Sequence, residues 1–306
     1  MSKFLPVIAS VMLALSFVLF TQSKQETHSV FYVQSDDIYE TLKNDNSFGT
    51  AIAFYIIKTM PFLNKMATTG EYEIRKGENV ISVIKKMLTG NKIRRKITIP
   101  EGYTVKQIVE KLNKNHLLFG DLDEDIQEGA LFPDTYFYSF GDTKKSVIQK
   151  MKKQMESIKT KFLSQNKTSM SLEEIIILAS IIEKESGNSS EYSLISSVFH
   201  NRLARKMRLQ SDPTVIYAIT DGYGKLNRKL KHSDLQFISP YNTYRNAGLP
   251  PFPICCPGEK AIKAAMSPDT TEYFYFVANK EHSAHTFSKE YKEHLRAIKN
   301  LRREGA

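Results

Sequence analysis

The sequence predicts an α+β fold. Apolar residues recur at helical spacing in several segments, short strand-like runs stand between them, and no regular βαβ alternation links the two. Of its 306 residues, 41% are hydrophobic and 25% charged, so the chain can bury a real core. Disorder, collagen and disulfide-framed miniproteins are excluded as whole-chain readings. The 43 Lys and Arg against 33 Asp and Glu leave a net charge of +10. That balance favours an anionic partner without choosing among nucleic acid, membrane headgroups and a carboxylate-bearing polymer. Cys255 and Cys256 are adjacent, and one pair at that spacing neither frames a fold nor ligates a metal.

The N-terminus sets the expected compartment. Lys3 is followed by seventeen uncharged residues, Phe4 to Phe20. A helix of that length spans about 25 Å, the low end for a bilayer core of about 30 Å. Phe20-Thr-Gln-Ser-Lys24 is a poor cleavage site, so an uncleaved single-pass transmembrane helix is expected rather than a signal peptide. Lys3 and the terminal amine favour an N-terminus on the cytoplasmic side of the inner (cytoplasmic) membrane. The rest of the chain is then periplasmic or extracytoplasmic.

Residues 29–71 carry weaker signals, a strand at Phe31-Tyr-Val33 and a helix or buried run over residues 51–60. A near-repeat follows. Tyr72-Glu-Ile-Arg-Lys-Gly77 leads into a helix with Ile81, Ile84 and Leu88 on one face, ending at Gly90. Ile97-Thr-Ile-Pro-Glu-Gly102 leads into another, with Val105, Ile108, Val109 and Leu112 on one face. Both read as strand, glycine turn, helix. The first unit resembles half of a LysM module, a small βααβ fold that binds peptidoglycan glycan. Beyond a turn-rich stretch from Gly129 to Tyr136, apolar residues at Val147, Ile148, Met151, Met155, Ile158 and Phe162 predict a connector helix with lysines on its other face. Gln165-Asn-Lys-Thr-Ser-Met170 reads as a linker. After it come a helix from Ser171, a second from about Tyr192, a strand over residues 273–278 and a last helix over about 289–302.

Candidate chemistry gathers at the end of one helix and in the loops after it. Ser171-Leu-Glu-Glu174 is a capping box that places the helix start. Leu172, Ile175, Ile176, Leu178, Ala179 and Ile182 form a broad buried face, and Gly187 is positioned to close the last turn. Glu183 and Glu185 fall about 200° apart, at opposite margins of that face. Acids at a helix C-terminus oppose the macrodipole, which raises a carboxyl pKa, as a general acid requires. Two solvated surface acids are the alternative, and spacing does not choose between the readings. In the loops, Gln210, Asp212, Tyr241, Asn242 and Tyr244 suit a saccharide cleft, with amides for hydroxyl and acetamido groups and rings for sugar faces. Loop architecture explains the same residues equally well.

Several blocks then carry a specific resemblance. Leu178-Ala-Ser-Ile-Ile-Glu-Lys-Glu-Ser186, Val198-Phe-His-Asn-Arg-Leu203, Met207-Arg-Leu-Gln-Ser-Asp-Pro-Thr-Val-Ile-Tyr217, Ser239-Pro-Tyr-Asn-Thr-Tyr244 and Gly248-Leu-Pro-Pro251 are similar to the endolytic murein (peptidoglycan) transglycosylase family, MltG/YceG-like. Leu131-Phe-Pro-Asp-Thr-Tyr136 upstream, and Tyr275-Phe-Val277 with His285-Thr-Phe287 downstream, extend the match in the family's order. The resemblance implies a membrane-anchored lytic transglycosylase, a carbon–oxygen lyase acting on polysaccharide. It would cut the MurNAc-GlcNAc β-1,4 bond inside nascent strands, leave 1,6-anhydro-MurNAc ends, and terminate glycan elongation beside peptidoglycan synthases. It also implies that Glu185, the second acid of Glu-Lys-Glu, is the catalytic acid/base, with Ser186 beside it in a Glu-Ser pair like that of other lytic transglycosylases. The implied partners are glycan strands and synthases, with no nucleic acid, no cofactor and no metal.

The expected organisation is therefore an anchor with its flank at residues 1–28, a LysM-like α/β subdomain with connector helix at 29–165, and a mixed α+β catalytic domain at 166–306. A two-carboxylate muramidase, with Asp212 as the second acid, and a non-catalytic peptidoglycan-binding scaffold are the alternatives. His282 and His285 form H-x-x-H without a third ligand at a recognisable spacing. Lys92-Ile-Arg-Arg-Lys96, the densest basic cluster, reads as a solvated strand edge.

Overall fold

A computed structural model describes residues 29–33, 68, 70–75, 78, 80–122, 125–163, 166–279 and 284–303. The expected anchor at residues 1–28 and the run at 51–60 lie outside the described residues. Among those described, no helix is long and apolar enough to cross a membrane. The described strands form three two-stranded sheets, accompanied by eight α-helices among the described residues. This is the mixed α+β architecture expected from short strands without βαβ alternation.

Two compact units divide the chain. One takes in Met1–Lys96, Leu117–Phe119 and Phe137–Asp142; the other takes in Ile97–His116, Gly120–Tyr136 and Thr143–Ala306.

In the first unit, β1 (Ser29–Val33) pairs antiparallel with β2 (Gly70–Ile74), Phe31 opposite Tyr72. Helix α1 (Val80–Thr89) follows. Tyr72 and Met87 are fully buried, and the Tyr72 hydroxyl donates to the Thr68 carbonyl at 2.6 Å. Lys86 Nζ donates to the Glu73 carbonyl and to Glu78 Oε2, each at 2.7 Å, which ties the helix to the strand before it. Gly90 closes α1 with φ of 67°, a left-handed conformation that favours glycine.

The other half of the near-repeat crosses from the first unit into the second. Strand β3 (Arg95–Thr98) pairs with β4 (Thr135–Tyr138), and α2 (Val105–Asn113) starts at a capping box of Thr104 and Gln107. Ile108 and Leu112, two of the residues expected on one face, are fully buried. Helix α3 (Lys144–Leu163) buries all six of its expected apolar positions. It is a core helix rather than a connector. Met155, Ile158 and Phe162 share one apolar cluster with α4 (Leu172–Glu185), α5 (Tyr192–Ala204) and α7 (Glu259–Met266). The cut expected after residue 165 thus falls inside this unit. Helix α6 (Asp212–Thr220), the hairpin of β5 (Tyr275–Ala278) and β6 (His285–Ser288), and α8 (Tyr291–Arg303) complete it.

Helix α4 is the axis of the unit. Every residue from Ile175 to Ile182 is buried, so the expected apolar face extends around the whole helix, as it must when neighbours surround it. The Ser180 hydroxyl, the one polar side chain in that stretch, donates to the Ile177 carbonyl at 2.7 Å and accepts from the Ile254 N–H at 3.0 Å. The helix does not end on a left-handed glycine. Ser186 terminates it in an extended conformation (φ −136°, ψ 137°), and Gly187 is not in the left-handed region.

Candidate active site

Leaving the core, α4 delivers its two acids to different surroundings. Glu183 accepts from the Tyr192 hydroxyl and from the Gly258 N–H, both at 2.9 Å. Gly258 is the N-cap of α7, so this carboxylate ends one helix and caps the positive end of another. Burial, with Glu101 nearby, still holds its pKa above the usual carboxyl range. The set of partners gives Glu183 a structural task.

Glu185 instead lines a cavity of about 360 Å³. Burial pushes its carboxyl up to about 7, and the negative charge of Asp212 acts the same way. A hydrogen bond from Ser211 Oγ and the Arg202 charge oppose the rise without cancelling it. Desolvation is therefore the largest cause of the rise.

The residues that hold this geometry break local rules. Ser211 is the N-cap of α6, yet its side chain makes no capping bond; the hydroxyl goes to Glu185. Just before it, Gln210 adopts φ of 53°, a left-handed conformation that disfavours a non-glycine residue by about 1–2 kcal/mol. Two such concessions in adjacent residues mark a site whose geometry serves something besides stability. Arg202 supports the same loop from below. Its guanidinium donates to the Phe274 carbonyl at 2.7 Å, the Leu209 carbonyl at 2.8 Å and Gln210 Oε1 at 3.3 Å.

Of the residues expected in a saccharide cleft, Glu185, Gln210, Asp212 and Tyr244 come together around this cavity. Asp212 is exposed and accepts from the Tyr244 hydroxyl at 2.6 Å. Ser186, Tyr241 and Asn242 stand elsewhere. The Ser186 hydroxyl accepts from the Asn188 N–H at 3.0 Å. Tyr241 packs against Tyr217 with ring centroids 4.9 Å apart. Asn242 is fully buried; its amide donates to the carbonyls of Leu235 and Phe237, and its oxygen accepts from the Tyr244 N–H. These bonds are loop architecture. His285, half of the H-x-x-H pair, is engaged by Glu191 at 2.8 Å, while His282 lies outside the described residues.

Sequence reasoning passed over five residues of the site. Arg202 and Ser211 sit inside the quoted blocks, and that placement was the usable signal. Tyr275, Tyr291 and His294 also line the cavity, and for the last two the only signal is i, i+3 spacing on the final helix.

Fold and cavity together define an α+β protein with a carboxyl held above its usual range in a cleft. The chain belongs to the YceG-like family, which matches it over residues 33–300. A relative from Bacillus subtilis (strain 168), named endolytic murein transglycosylase, is 35% identical over 261 residues, 74% of this chain and 71% of its own length. A protein of the same name from Streptococcus pneumoniae serotype 2 (strain D39) is 28% identical, and the match spans 69% of this chain but only 46% of the streptococcal protein. The crystal structure of a YceG-like protein from Listeria monocytogenes superimposes with a TM-score of 0.54 at 30% identity, covering 90% of this chain and 100% of that one.

Proposed function

We propose that the protein is an endolytic lytic transglycosylase that cuts peptidoglycan glycan strands with Glu185 as its single acid and base. One observation carries the reading. Glu185 stands in a cavity with its carboxyl pushed up to about 7, so near neutral pH it is protonated often enough to donate and, once ionised, basic enough to accept. The name shared by the Bacillus and Streptococcus relatives supports the substrate and the reaction.

In the proposed reaction, Glu185 gives its proton to the oxygen joining MurNAc to GlcNAc as the C1–O bond breaks. The carboxylate left behind is favoured by the Arg202 charge and the Ser211 hydroxyl. It takes the proton of the muramic C6 hydroxyl while O6 bonds to C1. The acid is restored, a 1,6-anhydro ring ends one fragment, and no water is consumed. Gln210, Asp212 and Tyr244 are placed to hold sugar hydroxyl and acetamido groups around the acid.

Hydrolysis by two carboxylates has one observation in its favour, since Asp212 lines the same cavity. Digestion of purified glycan strands followed by mass spectrometry separates the two. Anhydro ends, lighter by one water, support the lyase; reducing ends in their place would make the protein a muramidase.

The proposal extends to place and purpose. Residues 1–28 anchor the chain in the cytoplasmic membrane, a LysM-like segment within residues 29–165 holds glycan, and residues 166–306 cut new strands outside the membrane beside the synthases, ending their elongation. The uncharged run from Phe4 to Phe20 supports this arrangement. Deleting residues 1–23 should release the protein from membranes while cleavage in vitro persists. A truncated protein that still sediments with membranes would contradict the anchor.

A further inference from the structure

We propose that the hairpin strand β5 and the C-terminal helix α8 form an aromatic platform that stacks against a sugar ring of the bound glycan, so that the last helix positions substrate at Glu185. This rests on the glycan-cutting function proposed above.

Three rings build the platform. Tyr275 on β5 stacks on His294 of α8, with centroids 5.3 Å apart and planes 24° from parallel. Tyr291, one turn earlier on α8, packs against Tyr275 at 5.7 Å and His294 at 6.3 Å. The spacing of Tyr291 and His294 sets both on one side of the helix. All three line the cavity that holds Glu185. Arg202 connects platform and acid, because its guanidinium lies 5.4 Å from the Tyr275 ring centroid and its charge acts on the Glu185 carboxyl.

Two features distinguish this cluster from ordinary core packing. Tyr291 is 59% exposed, although its ring is large and apolar. His294 Nδ1 is buried and has no hydrogen-bond partner among the described residues. A buried nitrogen without a partner disfavours folding. At a cavity wall, that arrangement makes sense as shape kept for a ligand.

The chemistry of the wall selects the ligand class. A pyranose ring presents C–H groups on one face and hydroxyl and acetamido groups at its rim. The exposed Tyr291 ring, backed by Tyr275 and His294, matches the apolar face, while Gln210, Asp212 and Tyr244, which line the same cavity, offer hydrogen bonds to the rim. An N-acetylhexosamine unit of a glycan strand satisfies both sides at once.

The test uses the full chain and purified peptidoglycan strands, comparing wild type with Tyr291→Ala and Tyr291→Phe. Because Tyr291 is exposed, its truncation should leave thermal melts unchanged. Tyr291→Ala should raise KM by about three- to ten-fold, the range for one lost aromatic contact, with kcat little changed and Tyr291→Phe near wild type. In a Glu185→Gln background, which binds without cutting, Tyr291→Ala should weaken the affinity for glycan fragments by the same factor. Wild-type KM and affinity in Tyr291→Ala would overturn the platform while leaving the transglycosylase reading intact. So would a fall in kcat at unchanged KM, which points to support of Glu185 rather than contact with sugar. A wild-type protein that neither binds nor cuts glycan would remove the proposed function and the platform together.

Discussion

In Glu185→Gln the amide keeps the size of the carboxyl but can neither give nor take the proton that the proposed reaction moves. Cleavage should fall by at least the roughly 10²–10⁴-fold typical of general acid–base catalysis. The same change should stabilise the fold, in a way that depends on pH. Burial raises the Glu185 carboxyl from 4.5 to about 7, and at about 1.4 kcal/mol per pKa unit that rise is worth about 3 kcal/mol. The folded protein holds this proton more tightly than the unfolded chain does. The carboxyl therefore does not penalise folding below pH 4.5, the penalty grows as pH rises towards about 7, and above that it is constant. Partial solvent access to Glu185 reduces the expected gain to about 1–2 kcal/mol. For a protein of 306 residues that is an increase in Tm of about 2–3 °C at pH 8, and much less at pH 5. Melts of both proteins at the two pH values, with anhydro-product rates beside them, check the argument. An equal difference in Tm at pH 5 and pH 8 would refute the desolvated carboxyl. Cleavage within ten-fold of wild type would move the proton donor to another residue.

Three further predictions concern the residues around it. Ser211→Ala removes the hydrogen bond that lowers the Glu185 pKa, so the protonated acid should persist to higher pH; the alkaline limb of the rate profile should move up, and Ser211→Thr should restore it. Arg202→Lys keeps the charge but not the fork that serves the Leu209 and Phe274 carbonyls; about 2 kcal/mol of stability should be lost, with faster proteolysis of the 205–212 segment, and an unchanged melt would show that the fork is dispensable. Glu183→Ala leaves the Gly258 N–H without its acceptor and the Tyr192 hydroxyl with the Ser186 carbonyl alone; stability should drop by about 1–3 kcal/mol while the folded protein keeps its cleavage rate. If Glu183→Ala instead abolishes cleavage at a temperature where the protein is folded, the assignment of the two acids is reversed.

Much of the second unit was legible because its signals are local. Helix α3 repeats apolar residues at 3.6-residue spacing, and all six positions are buried. The capping box of Ser171 and Glu174 starts α4 where the residues say it should. Glu185 was marked by its block, and that block ends in the cavity. Other features could not be read, each for a physical reason. A capping box and a periodic face cannot tell how many sides of a helix will be covered, and α4 is buried all around. The end of α4 depends on what meets it; an extended Ser186, not a left-handed Gly187, lets the chain leave.

The division between Glu183 and Glu185 shows the same limit. Their separation around the helix follows from its pitch alone. Which of them meets an open cavity depends on where Tyr192 and the N-cap of α7 arrive, since those groups claim Glu183. Likewise an asparagine and a glutamine carry the same amide, but Asn242 spends its own on loop carbonyls while Gln210 borders the cavity. The aromatic wall from β5 and α8 is the furthest from reading, because its rings come from segments distant in sequence from Glu185 and meet it only when the chain packs. Residue type and spacing are properties of a chain segment, and they settled six of the eight described helices and the α+β class, while the resemblance picked out the acid-bearing block; α6 and α7 were not read from the sequence. Desolvation, hydrogen-bond partners and the shape of a cavity are properties of what surrounds a segment, and these appear only when distant segments close around the same carboxyl.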